Sequence, residues 1–538
     1  MTPFQEFRLW ARRAPVAERG AAAAAAALVL AVLIYVLVPS SDAGQASALT
    51  NFGPATGPAA GGTASGAPAQ GTTGSALGGT AGGAQGSATG GTSLGASTGG
   101  TTGTTGTTGG ASAGGSTTGG TTGTTGGGTT GGGPGAGCPA GKAPGVTASQ
   151  MKIAVVLVNI AGPAANSLFG VATPDTQQAW ANAAIQDVNA SGGAGCRKIT
   201  AQYFKANPTD QADLQKTCND VQDSGAFAVL DGGAYANFPL VDCYAKAGIP
   251  YFGGYLISGT QRQKYYPYLF ELQTADRLYR DTELALKSRG FFDAAKGFKK
   301  LGFIYRSCDP TMIANQKQLL ASIVGSTSMV TYDVGCPSAL ANPSDIQQAV
   351  LTFQRSGVTN VTTAALVADF ATFTKIAQQQ NFKPIYGLPD DSLVALSYGS
   401  QAPDTNNIAN AIAISGTRSG DEKTPGTKPN PGTTRCNAAF KKYGNLGDVY
   451  KLPQGAGNTC DLVSMFDAAV DHAPAMQRNA LAAGLQRAGA VDWSFPGGPT
   501  DFSHNGETTG GEFWRPLQFK PACTCWQVID RTFKPTFG

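Results

Sequence analysis

Four side chains in the second half of the chain, Arg306, Asp309, Asp369 and Asp390, have the chemistry to recognise a small polar molecule. Asn159, Phe169, Tyr235 and Tyr255 add amide and aromatic groups from the first half. Guanidinium binds a carboxylate through two parallel hydrogen bonds and a carboxylate binds an ammonium, so such a set can grip a zwitterion at both ends. The Asp231-Gly232-Gly233 turn supplies a further acid and open backbone beside Tyr235, whose ring can cover an apolar ligand. A surface ion pair between Arg306 and Asp309 is the alternative. Chemistry on a substrate finds less material. Of the two histidines, His472 ends a helix and His504 lies in a Gly-rich loop, neither with a recognisable Ser or Cys partner. No phosphate-cradling glycine loop opens a helix, and no pair of C-x-x-C knuckles makes a zinc site. The pattern is that of a binder, with no metal or cofactor expected.

The candidate residues sit where strands end. Lys152 to Val158 (KIAVVLV) is a continuous, β-branched apolar run, the mark of a strand buried on both faces of a parallel sheet. Asp175 to Asn189 carries Trp180, Ala184, Ile185 and Val188 at helical spacing. Strands at Ile199 to Phe204, Phe227 to Leu230 and Ile249 to Phe252 then alternate with helices at Thr209 to Asp223 and Pro239 to Ala247. The pattern restarts with a helix at Arg277 to Arg289, a strand at Leu301 to Tyr305 and a helix at Met312 to Ile323. Ser344 is expected to cap the next helix, with Gln347 completing a capping box. Strands at Val361 to Val367 and Pro384 to Gly387 flank a helix at Phe370 to Gln380, and Ile408 to Ser415 reads as a strand leaving this lobe. Helices at Asn437 to Tyr443, Asp461 to His472 and Arg478 to Ala488 follow, then a hairpin-like tail. Such alternation predicts an α/β protein with two doubly wound parallel-sheet lobes. In open sheets of this kind ligands bind beyond the carboxyl ends of the strands, which is where the candidate residues fall.

All ten cysteines lie from Cys138 onward, an even number that predicts disulfides in an oxidising space. Cys218 and Cys243 occupy successive crossover helices and can meet across one sheet face. Nearest-neighbour pairing also fits Cys138 with Cys196, Cys308 with Cys336, and Cys436 with Cys460. Cys523 and Cys525 are left, and so short a ring is either a structural bridge or a labile, redox-active pair. Spacing alone leaves the connectivity open.

The first part of the chain is of another kind. Arg8, Arg12, Arg13 and Arg19 precede an uncharged apolar run from Gly20 to Val38, long enough to cross a membrane as a helix with the basic end inside. Cleavage near Ala46-Ser47-Ala48 is the alternative to a retained anchor. Ala43 to Gly137 is almost wholly Gly, Thr, Ser and Ala, without a charged residue. Its side chains cannot offset the entropy of ordering, so a flexible tether is expected, with a root-mean-square span on the order of 55 Å. The net charge of +4 is spread without a basic cluster, which argues against nucleic acid as a partner. The expected organisation is a cytoplasmic N-terminus (1–19), a membrane span (20–38), a linker (39–137), a first lobe (138–272), a second lobe (273–410), a return to the first lobe (411–500) and a C-terminal hairpin (501–538).

The order of elements resembles the type I periplasmic-binding-protein fold, and within it the substrate-binding proteins of branched-chain amino acid ABC transporters. The stretches that carry the resemblance are KIAVVLV with its AGP turn, FAVLDGG, AGIPYFGG, KKLGFIYRSCD and CDLVSMFDAAVDHA, and it covers nearly all of the chain after the tether. It implies two lobes joined by a multi-strand hinge that close on a small solute and deliver it to an ABC permease. Relatives of this kind hold the ligand carboxylate with backbone amides and hydroxyls after the third and fourth strands, where this chain has Gly232, Gly233, Ala234 and Tyr235. Asp390 falls close to the acid that meets the ligand ammonium in those relatives, so an amino acid or an amide- or amine-like solute is expected. A cell-surface sensor, or a wall-associated scaffold that binds no small molecule, is the alternative.

Overall fold

A computed structural model of the chain describes residues 138–537, apart from 161, 169–170, 232–237, 256, 274, 337–340, 391–401, 453–454 and 504–509. The expected membrane span and tether lie outside the described residues. Among those described, no helix is long and apolar enough to cross a membrane.

The first sheet grows from β1 (Gln150–Val158), whose side chains enter two cores in alternation. Ile153, Val155 and Leu157 face one and Ala154 and Val156 the other. A strand with no solvent face needs helices on both sides. The sheet runs β2-β1-β3-β4-β5, all parallel, with β2 (Lys198–Ala206), β3 (Val229–Asp231), β4 (Tyr251–Tyr255) and β5 (Leu269–Gln273). A short α1 (Pro163–Leu168) follows β1, and α2 (Pro174–Ala190) covers one face with Trp180, Ala181, Ala184 and Ile185. On the opposite face lie α3 (Gln211–Ser224) and α4 (Phe238–Lys246). Thr173 caps α2 ahead of Pro174, and Asp210 caps α3, which ends at Gly225 in the left-handed conformation. A capping box between Ser258 and Gln261 starts α5 (Gly259–Lys264).

The chain then enters the second lobe through α6 (Ala275–Ser288). Its sheet runs β12-β11-β10-β9-β8-β6-β7, with β13 (Lys534–Pro535) beside β11. The parallel part holds β6 (Leu301–Tyr305), β7 (Met329–Asp333), β8 (Asn360–Ala364), β9 (Ile385–Pro389) and β10 (Ile412–Ser415). The C-terminal β11 (Phe513–Lys520) and β12 (Cys525–Val528) extend it antiparallel. Helices α8 (Pro343–Arg355) and α9 (Val367–Gln379) bury Phe353, Phe370 and Phe373 on one face, while α6 and α7 (Pro310–Val324) bury Leu286, Ile313 and Leu320 on the other. Between β10 and β11 the chain returns to the first lobe as α10 (Pro431–Ala439), α11 (Gly455–Asp471) and α12 (Leu481–Ala488). Phe466 of α11 meets Phe227 and Phe252 edge-on, completing the core that α2 begins.

Several local expectations change. Ser344 does not cap α8; Asn342 does, its side chain accepting the Ser344 N–H at 3.2 Å, because the intervening Pro343 suits the first helical position. Val367 opens α9 rather than ending β8, and β10 is shorter than expected because 404–411 turn before it. The ten cysteines form five bridges: Cys138–Cys196, Cys218–Cys243, Cys308–Cys336, Cys436–Cys460 and Cys523–Cys525.

The closest helix contact of the returning segment is at Gly484 of α12, where an added Cβ would lie 1.9 Å from the Ala469 carbonyl oxygen of α11. A backbone atom cannot rotate away, so the helices must part. Gly484→Ala should therefore lower stability by about 1–3 kcal/mol in chemical unfolding. An unchanged midpoint would show that α11 and α12 are not held in this contact.

Candidate functional site

At the end of β1 the backbone is held by two buried amides. Gln177 of α2 accepts the Val158 N–H at 2.9 Å and donates to the carbonyls of Val158 at 2.9 Å and Ala172 at 2.7 Å. Asn166 donates to the same two carbonyls at 2.8 and 2.9 Å and accepts the Ile160 N–H at 2.6 Å. Together they fix the loop that carries Asn159, which is half-buried and donates its own N–H to Ala206 at 2.8 Å. Neither amide was singled out in the sequence. Gln177 could have been, since it precedes Trp180 by three and Ala181 by four on the apolar stripe of α2. Phe169 lies outside the described residues.

Asp231 closes β3 and is fully buried, its Oδ2 accepting the Tyr251 hydroxyl at 3.0 Å. Burial, and then this carboxylate, push the Tyr251 hydroxyl well above its ordinary pKa. Asp231 thus binds within its own sheet. Gly232 and Tyr235, and with them Gly233 and Ala234, lie outside the described residues. Tyr255 ends β4 in register with Gln273, and its side chain is likewise outside them.

In the second lobe the structure brings Arg306 and Asp369 together. Arg306 follows β6 and donates from Nε to Asp369 Oδ2 at 2.6 Å, with both side chains buried. Asp369 Oδ1 accepts the Ala341 N–H at 2.8 Å, so one carboxylate of α9 holds the loops after β6 and before α8. Asp309 has another task, capping α7 by accepting the Met312 N–H at 2.9 Å. The Asp309 residue and Arg306 are each 8% exposed, which removes the surface setting of the alternative ion pair. Truncating one partner of a buried pair leaves a charge short of its counter-ion. Asp369→Ala should cost on the order of 3 kcal/mol in urea unfolding; a loss below about 0.5 kcal/mol would mean that the pair is not formed in solution.

Asp390 stands apart. It follows β9, is fully buried, and accepts the Ser415 hydroxyl at 2.8 Å on Oδ2, while Oδ1 has no hydrogen-bond partner among the described residues. Burial pushes its carboxyl up to about 6, against the opposing effect of the Ser415 and Thr417 hydroxyls, of Arg515 and of the Gly416 N–H. Around it the ends of β10 and β11 form a charged cluster. Arg515 meets Asp421 at 2.7 Å, Arg418 lies 3.8 Å from Asp421 and 3.7 Å from Asp492, and both guanidinium groups stand over the Phe533 ring. Arg515 and Arg418 were not singled out in the sequence, because their spacing along the chain hides that two crossing segments meet.

The raised carboxyl gives a pH dependence of known sign. The folded state holds the Asp390 proton more tightly than the unfolded chain, whose carboxyl titrates near about 3.9. Its contribution is complete below about pH 4 and is lost as pH rises through about 6. Unfolding free energy should therefore fall less steeply over this interval in Asp390→Asn than in the parent protein. Equal slopes would place Asp390 in contact with solvent.

Two α/β lobes, linked by three chain passages and carrying polar residues beyond their strand ends, define the class of two-lobed ligand-binding proteins. The sequence matches the periplasmic binding protein family over residues 153–518, and the chain belongs to that family, whose members bind ligands rather than catalyse reactions. No curated protein matches the sequence significantly. Among solved structures, a fatty acid ABC transporter substrate-binding protein from Thermomonospora curvata is similar at a TM-score of 0.53 and 14% identity, covering 74% of this chain and 95% of that one. A branched-chain amino acid transporter substrate-binding protein from Streptococcus pneumoniae, in complex with isoleucine, gives 0.51 and 16%, covering 71% and 99%. A leucine-binding protein from Thermotoga maritima gives 0.52 and 10%, covering 71% and 98%. The expected type I fold is thus present.

Proposed function

We propose that this chain is a solute-binding protein that captures a small polar molecule between its lobes outside the cytoplasm and passes it to an ABC permease, its N-terminal helix and tether keeping it at the membrane. Family membership supports the capture of a small ligand. The arrangement at Asp390 supports an amine-bearing solute. Asp390 Oδ1 is buried without a hydrogen bond among the described residues, which is costly, and a ligand ammonium arriving there would both satisfy it and draw the carboxyl back to its charged form. Arg306, Asp369, Asp309 and Asp231 already serve loops, a helix end and a strand, so they shape the cleft edge and leave the ionic contact to Asp390. Asn159, on its clamped loop, and Phe169, Gly232, Tyr235 and Tyr255 would complete the wall from the first lobe. Gly232, Gly233 and Ala234, which carry no hydroxyl, stand in the sequence where such relatives have hydroxyls, which suits an amide or amine better than an α-carboxylate.

Thermal unfolding of the purified protein, disulfides intact, tests this against amino acids, amides, polyamines, aromatic acids and sugars. An amine-bearing ligand at about 100 times its dissociation constant should add about 2.7 kcal/mol of stability. Asp390→Asn should abolish that shift while the unliganded protein still unfolds cooperatively. A folded, monomeric protein that responds to nothing in the library would favour a receptor or scaffold instead. A sugar or aromatic acid binding equally well to Asp390→Asn would sink the amine reading alone.

A further inference from the structure

A second cavity, of about 460 Å³, opens between α5, α6 and α7. None of the strand-end residues discussed above lines it. Two facing helix stripes make its walls. Arg277, Arg280 and Leu284 follow one another at three and four residues along α6, and Met312 and Leu319 stand seven apart on α7. Arg262 of α5 reaches the same space from the first lobe, so both lobes contribute to it.

Among the side chains lining this cavity three arginines stand beside a single acid, while Asp281 and Glu271 lie just behind them. Its one acid, Asp276, is occupied in accepting the Gly259 N–H, and burial pushes its carboxyl above the ordinary value. Arg280 makes a 3.4 Å contact with Asp281, and Arg277 donates to the Gly511 carbonyl at 3.0 Å. Yet the Nε atoms of Arg262 and Arg280 are buried without a hydrogen bond among the described residues. A buried Nε without an acceptor is costly even where the rest of the guanidinium reaches solvent, as it does in Arg280, and the acceptor that best suits two such groups is an anion. Leu284, Met312 and Leu319 supply apolar surface beside them, and the volume lies within the range of small-molecule pockets.

We propose that this lateral cavity is a second ligand site, taking an amphipathic organic anion whose carboxylate sits between Arg262 and Arg280 and whose hydrocarbon part lies on Leu284, Met312 and Leu319. The site is independent of the solute cleft. Its location, where α5 of one lobe meets α7 of the other, means that an occupant touches both lobes.

Isothermal titration of the full chain in nanodiscs with octanoate, corrected by titration into empty nanodiscs, tests the proposal. Octanoate should bind saturably, octyltrimethylammonium should not, and the double variant Arg262→Gln/Arg280→Gln should weaken octanoate by about tenfold or more, as expected for losing charge-assisted hydrogen bonds. Asn315 lines the cavity and is exposed, so Asn315→Asp can add a repelling charge without disturbing the core, and should weaken octanoate likewise. Asp390→Asn should leave octanoate binding unchanged, which separates this site from the cleft. Equal binding of the cation, undiminished binding by both cavity variants, or loss of octanoate in Asp390→Asn would each overturn the assignment. So would saturable binding of sulfate with none of octanoate.

Discussion

Burial of parallel strands on both faces governs this molecule. A strand such as β1 has no side that can face water, so each sheet needs helical cover twice over. The first lobe meets half of that need locally, with α3 and α4 on one face. On the other face α2 covers only part of the sheet, and the remainder comes from α10, α11 and α12, more than 150 positions further along the chain. The second lobe likewise borrows its last strands from the C-terminus. The first lobe is complete only after the second passage of the chain between them and the second lobe only after the third, and such multiple passages are what a hinge requires. The two-lobed form is thus a consequence of how the cores are shared. Removing the chain beyond any one crossing would strip apolar cover from at least one of them.

Elements with an unbroken apolar pattern were legible in the sequence. Leu301–Tyr305 is buried at every position and appears at its expected limits, and β1 differs only by two further strand residues, Gln150 and Met151, at its start. Two strands went unread for opposite reasons. Met329–Asp333 is an edge strand, partly exposed throughout, and so lacks a continuous run. Leu269–Gln273 contains Glu271, a fully buried acid whose carboxyl burial pushes well above its ordinary value and which accepts the Ile257 N–H at 3.1 Å. A charged letter in the middle of a strand disguises it, although in the fold it serves a neighbouring loop. Side-chain assignments were harder to read than elements. That Arg306 and three acids lie after strands followed from the topology, whereas the choice among ion pair, helix cap and vacant oxygen depends on loops whose course no periodicity encodes.

The fate of two of those acids shows what decides between structure and binding. Asp369 and Asp390 are equally buried and belong to the same sheet edge. Asp369 lies in the first turn of α9, where a guanidinium and a backbone N–H occupy its two oxygens, and a ligand would have to displace both. Asp390 meets hydroxyls from β10 and the loop beyond it, groups that donate and accept equally well and can turn away without leaving a charge exposed. Its nearest fixed cation, Arg515, is already engaged by Asp421. A carboxylate held by neutral donors, with a full counter-ion withheld by a neighbouring acid, is left able to accept one from outside. Asp390 accepts from Ser415 at the end of β10, and Asp421 and Arg515 stand on the chain leaving β10 and entering β11, the two passages that join this sheet to the returning helices.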